Sequence, residues 1–208
     1  MSIGFSSVAL QPIWDLNSRT LNALVESNRR PAHELRITLA IQLNDALQKP
    51  GEAVFVKLAR IPVCLLDAGF SQEGRWLERL RATSVNPVLD QCEFSRMAAL
   101  QLSQSLYMAA WNMVRAHPVC ARIVFGMSEE CLRVFRELPS VEPLIEECWS
   151  WVQPRWADKP QVWRRLLRTA QQSHLAKVPA VGIRSMLQLL GDLEPATRGA
   201  CDTGSRRR

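Results

Sequence analysis

The constraint that most narrows what this chain can fold into is an internal echo. Residues 62–92, PVCLLDAGFSQEGRWLERLRATSVNPVLDQC, and residues 118–148, PVCARIVFGMSEECLRVFRELPSVEPLIEEC, have equal length and begin 56 positions apart. Pro62-Val63-Cys64 answers Pro118-Val119-Cys120, and Ser84-Val85 answers Ser140-Val141. Pro87 and Cys92 answer Pro143 and Cys148. Between these anchors Gly69-Phe70-Ser71-Gln72-Glu73 parallels Gly126-Met127-Ser128-Glu129-Glu130 after a shift of one residue. Each copy reads as a structural corner. A helix ends at the glycine (Gly69, Gly126), where a positive φ costs little. The serine (Ser71, Ser128) then caps the next helix by accepting a backbone N–H. The acids behind it favour that helix's positive end. A serine and a proline open a further short helix in both copies. Two copies point to tandem diverged units packed about an approximate two-fold.

Around this core the apolar residues recur at spacings of three and four, with no alternating run and no Asn-Gly or Asp-Gly hairpin. The expected fold is therefore all-α: a helical bundle of two tandem diverged repeats plus a basic C-terminal helical segment. Residues 1–50 read as an N-terminal helical hairpin. Its first helix covers about 15–28, and its second covers about 32–49, with Leu35, Leu39, Leu43 and Leu47 in one stripe. The tandem core spans 51–152, with repeats at about 52–92 and 108–148. Within it helices are expected over about 52–68, 72–81 and 93–115. Residues 153–191 read as basic helices, the last stopping at Gly191, and 192–208 as a disordered tail.

Charge divides the chain unevenly. Residues 1–154 hold 15 Lys/Arg against 16 Asp/Glu, whereas 155–208 hold 11 against 4. The whole surplus behind the net charge of +6 thus sits in the last quarter, which suggests an anionic partner for that end. No apolar run approaches the roughly 18–20 residues of a membrane span. The N-terminus lacks the basic start and apolar centre of a secretory signal, so the expectation is a cytoplasmic protein with no membrane role. The six cysteines contain no C-x-x-C pair, which fits reduced, mostly buried thiols.

At the second repeat the residues carry a likeness. Over 106–148, Tyr107, Ala109, Ala121, Gly126, Met127, Glu129, Glu130, Leu138, Leu144 and Ile145 fall on a pattern of long helix, glycine turn, acid-started helix and short helix. That stretch resembles the D subunit of the flagellar master transcription activator (FlhD). VFGMSEECLRVFREL is also similar to bacterial regulators carried by integrative conjugative elements, a class of mobile genetic element. The resemblance covers about a fifth of the chain. It implies an all-α subunit of a DNA-bound transcription-activating complex, working with a second regulator subunit and able to form a homo-oligomer. This chain is nearly twice as long as members of that family, and its first repeat has no counterpart there. A tandem duplication would supply both halves of a dimer from one chain. The rival expectation is a protein–protein adaptor or assembly factor of a secretion or conjugation system, without DNA binding.

The helix behind Gly126 opens on Glu129 and Glu130, which repel phosphate, so base reading is not expected there. The better DNA candidate is QPRWADKPQVWRRLLRTAQQSHLAK, with Asp158 as a possible cap and Pro160 in the first helical turn. Its cations Arg155, Lys159, Arg164, Arg165, Arg168 and Lys177, with Arg184 further on, are the expected DNA-binding residues, touching phosphate. Trp149, Trp151, Trp156 and Trp163 read as anchors of a core or, in our assignment, of a partner interface. His117 and Cys120 lack an acid and an oxyanion loop. His33 and His174 have no ligand-like spacing with the cysteines. No enzyme activity, metal or cofactor is expected.

Overall fold

The computed structural model describes residues 7–28, 52–81, 94–172 and 177–198. The chain is mainly helical: α1 (Ser7–Asn28), α2 (Glu52–Ala59), β1 (Leu66–Asp67), α3 (Glu73–Arg81), α4 (Arg96–Ala116), α5 (Pro118–Phe125), α6 (Glu129–Glu137) and α7 (Glu142–Cys148). A 3-10 turn at Trp149–Trp151 leads to β2 (Gln153–Pro154), then α8 (Pro160–Gln172) and α9 (Lys177–Arg198). The two short strands pair antiparallel, Leu66 opposite Pro154 and Asp67 opposite Gln153. The all-α expectation holds. The predicted second helix of the hairpin, the prolyl turn around Pro87 and residues 199–208 lie outside the described residues.

Three boundaries differ from the sequence reading. The helix expected over 52–68 stops at Ala59, and the chain passes through a turn and bends into β1. Pro62 cannot donate to a helical ladder, and the buried amide of Asn17 on α1 claims the backbone instead. Its Nδ2 donates to the carbonyls of Ala59, Ile61 and Val63 at 3.2, 3.3 and 3.0 Å, while its Oδ1 accepts the Leu65 N–H at 2.8 Å. α1 starts eight residues earlier than expected. α9 continues through Gly191 to Arg198 rather than stopping at the glycine, so 192–198 is helical. An isolated glycine costs a helix only about 1 kcal/mol.

One cluster of buried side chains runs from Leu10 to Met186, so α1 and the C-terminal helices share a core with the middle of the chain. Its centre is aromatic. Phe70 stacks on Trp76 at 5.7 Å and meets Phe125 and Phe135 edge-on at 5.9 and 5.7 Å. Trp76 also meets Trp151 edge-on at 5.4 Å. Such pairs each add about 0.5–1.5 kcal/mol beyond the area they bury. The polar tips are satisfied: Trp76 Nε1 donates to Gly69 O and Tyr107 Oη to Cys148 O, both at 2.9 Å.

The repeated corner survives only in part. Gly69 and Gly126 both adopt left-handed backbone, at φ 69° and 63°. The helices that follow them, α3 and α6, pack together, and the corners are tied directly. Ser128 N donates to Phe70 O at 3.0 Å, and Cys64 N to Val124 O at 2.8 Å. Ser128 caps α6, its Oγ accepting the Cys131 N–H at 3.2 Å. Ser71 does not match it: α3 begins at Glu73, which leaves Gln72 at the cap position. The arms before the glycines differ altogether, since 62–65 bends into the two-residue strand at 66–67 while 118–125 is helical. The two segments share a corner, not a whole fold unit.

Candidate nucleic-acid interface and adjoining cleft

α8 sets the geometry of the basic end. Pro160 stands in its first turn as expected, but the turn before it puts Lys159 rather than Asp158 at the cap: Val162 N donates to Lys159 O at 3.0 Å. Trp163, Leu166, Leu167 and Ala170 face the core. That stripe leaves Gln161, Arg164, Arg165, Arg168 and Gln171 on the solvent side. The helix is therefore amphipathic, with arginines gathered on its outer face. Arg184 is exposed on α9, and Lys159 is half-buried. Lys177 begins α9, but its side chain lies outside the described residues.

Arg155 is a correction. Expected among the DNA-binding cations, it is 1% exposed and serves the interior. Its Nε donates to Cys64 O, and its Nη2 donates to Leu66 O and to Phe125 O, all at 2.7 Å. Asp67 Oδ1 lies 3.6 Å from Nη2 and offsets the charge. The backbone N–H of Arg155 donates to Leu65 O at 2.7 Å. The planar fork of the guanidinium suits this bridge between two chain segments, which a point-like ammonium would not span. The sequence did carry a hint: Arg155 sits in WSWVQPRW, among the most apolar and aromatic residues of the chain. Asn17, whose role was also missed, lies on the buried stripe of α1 with Ile13, Leu16, Thr20, Leu21 and Leu24.

The tryptophans are a second correction. Trp149, Trp156 and Trp163 are 5%, 5% and 1% exposed, so their surface is spent inside this chain rather than on a partner. Trp156 meets Trp163 edge-on at 6.4 Å, and Trp163 Nε1 donates to Arg155 O at 2.6 Å. Trp151 is half-buried, with the Arg75 guanidinium 4.0 Å over its ring. Burial also governs the thiols. It pushes Cys64 up to about 11, with the Arg155 charge pulling the other way, and raises Cys131 well above its ordinary value. Neither is poised as a nucleophile.

Between the first turns of α8 and the middle of α9 lies an open cleft of about 340 Å³. It is lined by Lys159, Gln161, Val162 and Arg165 from the α8 side, by Ser185 and Gln188 from α9, and by Trp156. Trp156 is the one described non-glycine residue with a positive φ, at 59°. A bulky side chain in that region costs on the order of 1–2 kcal/mol, and such strain gathers at sites where the surroundings hold it. Among the described residues no helix is long and apolar enough to cross a membrane. No family model, no curated protein and no solved structure matches the chain.

Proposed function

We propose that the chain is a subunit of a transcription-regulating complex and that α8 gives it a phosphate-contacting face on DNA. The supporting observation is the outer side of α8, where Arg164, Arg165 and Arg168 are all exposed. They lie within the quarter of the chain that holds its entire positive surplus. Arginines on one helix face neutralise backbone phosphates and release counterions, which supplies sequence-independent affinity. Base reading and partner choice then fall to other surfaces, and a second regulator subunit is part of this reading. With Arg155 buried, the phosphate face comprises α8 and Arg184 on α9, not the turn before α8.

The test is retention of a short random-sequence duplex across a salt series. The logarithm of the binding constant should fall linearly with the logarithm of salt. Arg164→Gln with Arg168→Gln should flatten that slope by roughly two phosphate contacts while the urea midpoint stays put. Absence of binding even at low salt, or a slope indifferent to the double substitution, sinks the reading and leaves the adaptor in its place.

A further inference from the structure

We infer that the cleft between α8 and α9 is a binding site for a phosphate-type oxyanion. The assignment goes beyond the DNA face and stands independently of it. Its first support is uncompensated charge. Lys159 and Arg165 both line the cleft, and among the described residues no carboxylate lines it and neither cation is held in an ion pair. Two like charges bordering one partly enclosed space repel, and an anion between them turns that cost into attraction.

The second support is the set of neutral donors. Gln161 and Gln188 bring amide N–H groups, and Ser185 brings a hydroxyl. Ser185 is 8% exposed and stands on the wall of the cleft. A hydroxyl there can donate to or accept from an oxygen of a ligand. The positive end of α8 adds to the same field.

The third support is construction. Trp156 is held with left-handed backbone at the wall by the Lys159 N–H, which donates to its carbonyl at 2.9 Å, and by the edge-on contact with Trp163. The volume lies at the lower end of small-molecule sites, of order 300–1,000 Å³, which fits a pyrophosphate or a phosphorylated small molecule.

Calorimetric titration of the full chain with pyrophosphate, at fixed ionic strength, tests the site. The expected result is saturable binding at one site. Lys159→Gln with Arg165→Gln should weaken it at least about tenfold, and Ser185→Ala several-fold, from the loss of charge-assisted and neutral hydrogen bonds. Arg133→Gln with Arg136→Gln, exposed on α6, removes the same charge elsewhere and should leave binding unchanged. Circular dichroism confirms that each variant is folded, and Arg165→Gln alone serves if the double variant is not. Absence of saturable heat overturns the site, and so does an equal loss in the α6 control, which would mark diffuse attraction. A duplex that displaces pyrophosphate identifies the natural phosphate as that of DNA; simultaneous binding identifies a small phosphorylated molecule. Pyrophosphate binding without any DNA binding leaves this site standing and fells the DNA reading alone.

Discussion

At the scale of single residues, Arg155 shows how a charge can belong to the interior. Its guanidinium satisfies the carbonyls of Cys64, Leu66 and Phe125, which come from the segment at β1 and from the end of α5. Burying such a group is tolerable because three carbonyls accept from it, the Met186 sulfur lies against Nη1 and Asp67 stands nearby. Removing the fork while keeping its bulk, as in Arg155→Met, leaves three carbonyls without donors and Asp67 without its cation. The expected loss is about 3–5 kcal/mol, read as a lower urea midpoint at neutral pH. Arg155→Lys restores the charge but not the geometry and should recover less than half of that loss. A midpoint unmoved by Arg155→Met sinks this account, and full rescue by lysine would show that charge alone suffices.

At the scale of elements, the two glycine corners separate what local sequence dictates from what it does not. The glycines were legible because left-handed backbone is a local demand, and both Gly69 and Gly126 meet it. The arms were not. The same Pro-Val-Cys triplet is irregular and bent at 62–64 and helical at 118–120, so its environment decides. Pro118 enters α5 at its first turn, whereas the first triplet is gripped by Asn17 from one side and Arg155 from the other. Those two residues are distant in sequence, and nothing in the triplet announces them. The caps make the contrast measurable. Ser128 is buried and accepts the Cys131 N–H, so Ser128→Ala should cost about 1 kcal/mol. Ser71 stands one position outside the cap of α3, so Ser71→Ala should stay within about 0.5 kcal/mol. Equal costs in parallel urea titrations would restore the symmetric corner that the sequence suggested.

At the scale of the whole molecule, helix periodicity placed Arg164, Arg165 and Arg168 outside and Trp163, Leu166 and Leu167 inside, because α8 has one apolar stripe. The cleft was invisible in the sequence, since Ser185 and Gln188 reach it from the following helix. The core that assembles these parts also sets how the fold answers to pH. Cys64, Cys131 and Tyr107 are all raised chiefly by burial, Cys64 to about 11. In the unfolded chain they ionise near their ordinary values, about 8.5 for cysteine and 10 for tyrosine. Folded pKa values above the unfolded ones mean that the folded state holds these protons longer. Their stabilising effect is therefore complete below about pH 8 and is lost as pH climbs through the unfolded values toward the folded ones. From Cys64 alone the loss by pH 10 is about 1–2 kcal/mol, and the other two groups add to it in the same direction. Urea midpoints measured in reductant should hold level from pH 6 to 8 and fall steadily from 9 to 10. Cys64→Ala removes one of these titrating thiols, so its slope over that range should be shallower than that of the wild-type chain. A flat wild-type profile to pH 10 would mean that these groups ionise within the folded core at no cost, and that the interior around Phe70 and Trp76 admits water.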